Sequence, residues 1–239
     1  MIVIPARMAS SRFPQKVLAD IGGVPMVVAT ARRVSEVDRV VIATDSEAVR
    51  DRAADFGIEA VMTSASHQSG TDRVAEAVRI VGADEEEIVV NVQGDEPFIE
   101  PDVVRKVYEK TAEVAASKRP AMMVSCYKYI DSEAAEDPNH VKVVTDHEDY
   151  ALYFSRSKIP YDRDVRDRWK GHLGIYGFTR HTLETFCALD ESPLEKVEKL
   201  EQLRALWHGY EIAMVEVASR SFGIDTKEDL ERAKKIFGV

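Results

Sequence analysis

Short apolar runs alternate with longer amphipathic segments through the first half of the chain, and this alternation constrains the fold more than any other feature. The runs at 2–4, 39–43, 58–62 and 87–92 are rich in Val and Ile, which predicts buried strands. The segments between them have helical spacing. Because this βαβ pattern gives parallel strands joined by right-handed crossovers, we predict an α/β fold with an open, mostly parallel, doubly wound sheet.

The alternation of strand and helix patterns changes in the second half of the chain. The apolar segments 141–145 and 150–154 flank a polar turn and predict an antiparallel hairpin. Residues 155–170 are dense in charge and poor in apolar side chains. We expect a single domain over 1–239 with an excursion from the main sheet at about 130–178, in which 155–170 is either an arm or lid or a plain surface loop.

Composition excludes several classes of function. The chain has 239 residues and a formal net charge of -10, which argues against a nucleic-acid surface. No apolar run is long enough to span a membrane, and we see no signal peptide. Cys126 and Cys187 match no metal-binding spacing, so we expect free thiols and a cytoplasmic protein.

A cationic loop follows the first strand. It contains Arg7, Arg12 and Lys16 among small polar residues. A strand that delivers cations at its carboxyl end is typical of an anion site in an open α/β sheet, and a polyphosphate fits this charge best. A solvated loop is the alternative for such a stretch.

An acidic motif follows the strand at 87–92. Gly94 permits a tight turn, and Asp95 lies at the carboxyl end of the strand, on the edge where the cationic loop is expected. A carboxylate facing a phosphate pocket favours a Mg²⁺ ion between them, although an Asp in a turn can also bond its own backbone. Asp225, next to the Thr-x-x-Asp helix cap at 226–229, is a second candidate ligand, with helix-end solvation as the alternative.

Long motifs occur in order along almost the whole chain. They are PARMASSRFPQK (5–16), HQSGTDR (67–73), NVQGDEP (91–97), NHVKVV (139–144), ALYFSRSKIPYDRD (151–164), GHLGIYGF (171–178), SPLEKVEKLEQLRALW (192–207) and GIDTKEDL (223–230). With these motifs the chain resembles the sugar-nucleotide cytidylyltransferases, and within them the 3-deoxy-manno-octulosonate (Kdo) cytidylyltransferase group. One departure is Gln15, where the family usually has Gly.

The resemblance implies that CTP and Kdo react to give CMP-Kdo and pyrophosphate, for lipopolysaccharide biosynthesis. The C2 hydroxyl of the sugar would attack the α-phosphorus in line, with Mg²⁺ held by Asp95 and Asp225. Arg7 and Lys16 would hold the triphosphate, with Arg12 a weaker candidate. The implied nucleotide-binding set is Ala6, Arg7, Ser10, Arg12, Lys16, Ser69, Gly70, Arg73 and Asp95.

The sugar site also follows from the resemblance. The implied residues are Gln93, Arg156, Arg163, His172, Tyr176 and Glu201. For Arg156 and Arg163 the alternative is a salt bridge across an oligomer interface, and for His172 and Tyr176 a half-buried pair on one strand face. Glu201 is expected beside the apolar face of one helix over 193–207.

The resemblance leaves alternatives open. The acceptor could be 8-amino-Kdo or a nonulosonate, and a non-catalytic nucleotide-binding regulator remains a hypothesis from another class. We expect a homodimer built on the hairpin and the excursion.

Overall fold

The structure, a computed structural model, describes residues 1–8, 13–164 and 167–238. The chain forms two compact units, one comprising Met1–Arg105 with Ser219–Val239 and the other Lys106–Ala218. In the described part of the chain, no helix combines the length and the apolar composition that a membrane span requires.

The elements follow in chain order. The strands are β1 (Ile2–Ala6), β2 (Asp20–Ile21), β3 (Val24–Pro25), β4 (Val40–Thr44), β5 (Glu59–Met62), β6 (Ile88–Asn91), β7 (Met123–Ile130), β8 (Lys142–Thr145), β9 (Ala151–Ser155), β10 (Trp169–Thr179) and β11 (Ile212–Glu216). The α-helices are α1 (Met26–Val34), α2 (Glu47–Asp55), α3 (Gly70–Ile80), α4 (Pro101–Ala115), α5 (Ser132–Glu136), α6 (Arg180–Cys187), α7 (Pro193–Glu198), α8 (Leu203–Trp207) and α9 (Lys227–Phe237).

The first unit contains the predicted parallel sheet. Its strand order is β6-β1-β4-β5, and every neighbouring pair is parallel. In the register, Ala6 pairs with Thr44, and Thr44 pairs with Met62. The residues that follow β1, β4 and β5 therefore emerge side by side at one edge of the sheet. This edge is where the candidate site lies.

Pro5 does not end the first strand, although the apolar run predicted a strand over 2–4 only. β1 continues to Ala6, and Pro5 pairs with Ala43 in the register. The backbone groups of alternate residues point to opposite neighbours, and Val3 is the last residue of β1 that pairs with β6. The backbone nitrogen of Pro5, which carries no hydrogen, faces the β6 side beyond the end of this pairing. The proline therefore removes no hydrogen bond from the sheet.

The second unit has a mixed sheet. β7 runs parallel to β11 and antiparallel to β10, and β8 pairs with both β10 and β9. β8 and β9 form the predicted antiparallel hairpin.

The helix predicted over 193–207 is interrupted. α7 ends at Glu198. Its C-cap, Lys199, has a φ of 55° and donates its N–H to the carbonyl of Glu195, and α8 begins only at Leu203. A left-handed residue ends a helix because the next amide can no longer follow the helical path. Glu201 therefore lies in the turn between two short helices, not on the face of one long helix.

Candidate active site

A cavity of about 310 Å³ opens at the carboxyl edge of the parallel sheet in the first unit. Its lining is polar and carries both signs of charge. The lining residues are Pro5, Arg7, Lys16, Val17, His67, Gln68, Ser69, Gly70, Arg73, Gln93, Gly94, Asp95 and Asp225. Most of the predicted nucleotide-binding and metal-binding residues that the structure describes therefore meet in one place.

Asp95 and Asp225 face the same ammonium group. Lys16 Nζ lies 2.6 Å from Asp95 Oδ2 and 3.2 Å from Asp225 Oδ1. The Lys16 side chain is only 13% exposed, whereas those of Asp95 and Asp225 are 27% and 47% exposed. The two carboxylates thus form an anionic pair around one half-buried cation, with their outer surfaces open to the cavity.

A backbone hydrogen bond brings the two aspartates together. The N–H of Ile224 donates to the carbonyl of Asp95 at 3.0 Å, which places Asp225 beside the β6 edge. Asp225 also directly precedes Thr226, the N-cap of α9, which forms the predicted reciprocal cap with Asp229. The cap fixes the direction in which the chain enters the helix, so the position of Asp225 is set from both sides.

The cationic loop supplies an exposed guanidinium at the cavity. Arg7 follows β1 directly, and its side chain is exposed. Ser10 and Arg12 lie outside the described residues. Gln15 has a φ of 56°. A residue with this backbone conformation carries a steric cost that Gly avoids, which explains why Gly is the usual residue here in the family that the sequence resembles.

Close backbone approach shapes one wall of the cavity. A Cβ atom on Gly94 would lie 3.1 Å from the carbonyl oxygen of Pro5, and one on Gly70 would lie 3.3 Å from Pro5 Cγ. Ser69 caps α3, since its Oγ accepts the N–H of Asp72 at 3.0 Å. The N-terminus of α3 is thereby aimed at the cavity wall, where its partial positive charge favours an anion.

Arg73 lines the cavity but is buried and paired. Its Nη2 donates to Asp45 Oδ2 at 2.7 Å and its Nη1 to Thr63 Oγ1 at 2.6 Å. The side chain is 4% exposed. Its fork is therefore held by residues at the ends of β4 and β5, a pairing that the sequence did not predict.

His67 and Gln68 also line the cavity and were not among the predicted site residues. His67 Nε2 lies 2.5 Å from Glu76 Oε2, which also accepts the N–H of Ser64. Burial acts to raise the pKa of the Glu76 carboxyl, but the hydrogen bonds from Ser64 and His67 outweigh it, so the pKa is lowered. The HQSGTDR motif could have predicted both residues as site residues, because they come just before Ser69, which caps α3.

Gln93 follows β6, lines the cavity and donates its side-chain amide to Asn91 Oδ1 at 3.3 Å. Ala6, the last residue of β1, is buried and does not belong to the cavity lining. Gln93 is the one member of the predicted sugar set in the first unit.

In the second unit, His172 and Tyr176 share one face of β10, with ring centroids 5.7 Å apart. Burial lowers the pKa of His172 to about 3, so the ring is neutral at physiological pH. Ser125 Oγ lies 2.8 Å from His172 Nε2 and from the carbonyl oxygen of Ile175, and 3.2 Å from that of Leu173. Because the two carbonyl oxygens can only accept, we assign the hydroxyl proton to them, and on this assignment Nε2 carries the ring proton and Nδ1 is an acceptor. Burial also raises the pKa of Tyr176, whose hydroxyl donates to Gln202 Oε1 at 3.1 Å.

Arg156 is anchored by backbone carbonyls in the second unit. Its Nε donates to the carbonyl of Glu198 at 2.7 Å and its Nη1 to that of Pro138 at 3.1 Å, with a longer contact from Nη2 to Lys199. Arg163 is exposed. Arg156 thus stabilises the end of α7, whatever else it binds.

Comparison with known proteins gives a consistent result. A family model described as Cytidylyltransferase matches residues 1–212. A 3-deoxy-manno-octulosonate cytidylyltransferase of a Nitratiruptor species is 57% identical over 99% of both chains. A protein of that name from Helicobacter pylori is 50% identical over 99% of this chain and 97% of its own.

A solved structure is also similar to this chain. It is CMP:2-keto-3-deoxy-manno-octonic acid synthetase complexed with CTP, which is 39% identical, with a TM-score of 0.92 over 99% of this chain and 97% of the other. A putative glucose-1-phosphate thymidylyltransferase from Bacillus anthracis has a TM-score of 0.66 at 17% identity over 98% of this chain and 94% of the other. That second likeness concerns the fold alone. Together the two structures confirm the predicted α/β class.

Proposed function

Since the chain belongs to the cytidylyltransferase family, we propose that it transfers a cytidylyl group from CTP to 3-deoxy-manno-octulosonate, releasing pyrophosphate. The observation that carries the proposal is the arrangement of Asp95 and Asp225 around Lys16 at the edge of a cavity that Arg7 and Arg73 also line. Two carboxylates beside several cations suit a metal-bound triphosphate.

The two aspartates fit Mg²⁺. Both already face one cation, the Lys16 ammonium, and both offer hard oxygen atoms. Among residues 1–8, 13–164 and 167–238, no group of three or more His, Cys, Asp or Glu side chains could hold a metal. Mg²⁺ usually takes one or two carboxylates and completes its shell with waters and substrate phosphates, so the two carboxylates are enough. When bound, the metal neutralises phosphate charge and lowers the pKa of the attacking hydroxyl.

The cations of the cavity bind the triphosphate. An ammonium has three N–H donors, of which the contacts with Asp95 and Asp225 use two, so Lys16 retains one donor for a phosphate oxygen. Arg7 is exposed at the cavity and presents a guanidinium fork to the same anion. Pyrophosphate carries the charge that develops as the bond to the α-phosphorus breaks, and these two side chains stabilise it.

The transfer itself makes one bond and breaks one. The oxygen of the sugar C2 hydroxyl bonds to the α-phosphorus, the bond from that phosphorus to the bridging oxygen breaks, and the hydroxyl proton passes to solvent. The work left to the chain is to hold both reactants in line and to exclude competing water.

The second unit supplies most of the residues proposed for the sugar acid. A guanidinium has five N–H donors, and the carbonyl contacts of Arg156 use three of them, so donors remain for a carboxylate. The neutral His172 ring offers Nδ1 as an acceptor for a sugar hydroxyl. Arg163, Tyr176, Glu201 and Gln93 complete the proposed set. We also propose that the protein forms a homodimer, is located in the cytoplasm and acts in lipopolysaccharide biosynthesis.

The proposed activity is tested by pyrophosphate release from CTP with purified protein and Mg²⁺. We expect release that requires Kdo, with 8-amino-Kdo and a nonulosonate giving lower kcat/KM at equal concentration. Binding of CTP without release in the presence of any of the three acids would identify a nucleotide-binding regulator instead. Release with the nonulosonate alone would reassign the acceptor.

The sugar set is tested separately by Arg163→Met. Because Arg163 is exposed, its loss should raise KM for Kdo by roughly tenfold, the value of one charge-assisted contact, without lowering the melting temperature. Arg50→Met, at an exposed arginine that pairs with Asp51, is the matched control and should change neither quantity. An unchanged KM for Kdo in the Arg163 variant would remove this residue from the site.

A further inference from the structure

The residues that directly follow three neighbouring strands of the first unit lie side by side. β1 is followed by Arg7 and Met8, β4 by Asp45 and β5 by Thr63. The register aligns Ala6 with Thr44 and Thr44 with Met62, so these residues leave the sheet at the same level. Asp45 is the one acidic residue among these four, and it does not line the cavity.

The two oxygens of Asp45 hold two different parts of the nucleotide site. Oδ2 accepts from Arg73 Nη2 at 2.7 Å, and Oδ1 accepts from the backbone N–H of Met8 at 3.4 Å. Arg73 belongs to α3, and Met8 lies at the start of the cationic loop. The carboxylate therefore joins an arginine of the cavity wall to the loop that contains Arg7 and Lys16.

Thr63 completes the arrangement. Its hydroxyl donates to the carbonyl of Thr44 at 3.1 Å, which leaves a lone pair to accept from Arg73 Nη1 at 2.6 Å. Each Nη atom of the Arg73 guanidinium therefore has a hydrogen-bond acceptor. The Arg73 side chain is 4% exposed, and that of Asp45 is 17% exposed. A buried guanidinium keeps its position only if its charge is balanced nearby, and the carboxylate of Asp45 provides this balance.

We propose that Asp45 is a positioning residue of the nucleotide site, which fixes Arg73 and the start of the cationic loop in the geometry that binds the triphosphate. The inference rests on the proposed function and deepens it. A carboxylate is needed because it has two acceptor oxygens. Asparagine has one, so it can satisfy Arg73 or Met8 but not both.

The test is Asp45→Asn in steady-state kinetics with CTP and Kdo varied separately. We expect KM for CTP to rise about 10- to 100-fold, the range for loss of one charge-assisted hydrogen bond, with KM for Kdo and kcat within about threefold of wild type. Glu195→Gln is the matched control, because Glu195 forms a buried bidentate pair with Arg204 in the second unit and lines no part of the cavity. It should lose stability without a change in KM for CTP.

A double-mutant cycle with Arg73→Met shows whether Asp45 acts through Arg73. We expect the double variant to have a KM for CTP no more than about threefold above that of Arg73→Met alone, because the other contact of Asp45, with the N–H of Met8 at 3.4 Å, is the weaker one. Should Arg73→Met fail to fold, as judged by its thermal transition, Arg73→Lys takes its place. An unchanged KM for CTP in Asp45→Asn, or effects that multiply in the double variant, would overturn the inference. Wild-type protein without CTP turnover would instead refute the proposed function.

Discussion

Charged side chains are used differently in the two units of the molecule. In the first unit, Lys16 pairs with both Asp95 and Asp225 at the rim of a cavity, where a ligand can take over some of these contacts. In the second unit, the fully buried Lys142 donates to the carbonyls of Arg156 and Asp137, and burial lowers its pKa. We propose that the first arrangement serves ligand binding, whereas the second stabilises the hairpin from within.

The contrast shows that a cation-rich sequence does not by itself indicate a ligand. Residues 155–170 and the loop at 7–16 are both basic stretches, yet Lys158 pairs with Glu136 and Asp162, whereas Arg7 is exposed at the cavity. What separates them is the partner that each cation meets after folding. Substitutions in each unit test this contrast.

Asp95→Asn should abolish turnover almost completely. A metal contributes several kcal/mol of charge stabilisation at a transferring phosphoryl group, so loss of one carboxylate ligand should lower kcat by about three orders of magnitude. Asp51→Asn, at an exposed aspartate of the same unit, is the control and should retain wild-type kcat. A kcat within tenfold of wild type for Asp95→Asn would show that this carboxylate does not serve the reaction.

Lys16→Met should lower kcat/KM for CTP by roughly a hundredfold, because a cation that contacts the leaving pyrophosphate is lost. The substitution also leaves Asp95 and Asp225 without their shared ammonium. Lys110→Met removes a lysine of the second unit that pairs with Glu113 at the surface, and it should leave this ratio unchanged. Equal losses in the two variants would contradict the contrast drawn between the units.

Gly177→Ala should affect stability alone. A Cβ at this position would overlap Thr111 Oγ1, whose hydroxyl is held by the carbonyl of Val107. We expect the free energy of unfolding to fall by about 1–3 kcal/mol, with KM for CTP unchanged. Gly174→Ala in the same strand is the control, since no atom lies within 4 Å of its Cβ. Chemical denaturation of both variants gives the comparison, and equal stabilities would contradict the packing found here.

His172 should make the second unit less stable in acid. Its folded pKa of about 3 lies below the unfolded value of about 6.5, so between these pH values the unfolded state binds more protons and stability falls as pH falls. The slope from this residue is at most about 1.4 kcal/mol per pH unit. Denaturation at pH 7 and pH 5 should show a smaller loss for His172→Asn than for wild type.

The exposed His147 provides the control for this comparison. His147→Gln should keep the pH dependence of the wild-type protein. If His172→Asn lost stability between pH 7 and pH 5 as steeply as wild type does, the ring would be charged in the folded state and the burial argument would be wrong.

Local patterns predicted most of the fold. Val- and Ile-rich runs identified β1, β4, β5 and β6, because buried parallel strands need apolar residues on both faces. The break at Lys199 escaped prediction, since a lysine in the left-handed conformation has no signature comparable to that of Gly.

Local patterns predicted individual residues of the candidate site but not which of them come together. Asp95 and Asp225 are distant in sequence, and the hydrogen bond from Ile224 that unites them has no local pattern, so the family resemblance had to supply the pair. Pairings such as Asp45 with Arg73 and His67 with Glu76 depend on strand register and helix docking, which spacing alone does not encode.

We propose above all that Asp95 and Asp225 hold the metal that accompanies CTP. The direct measurement is an anomalous difference map from crystals grown with CTP and Mn²⁺. The account predicts a peak in contact with carboxylate oxygens of both aspartates and with phosphate oxygens of the nucleotide. A well-occupied nucleotide whose metal peak touches neither aspartate would contradict it.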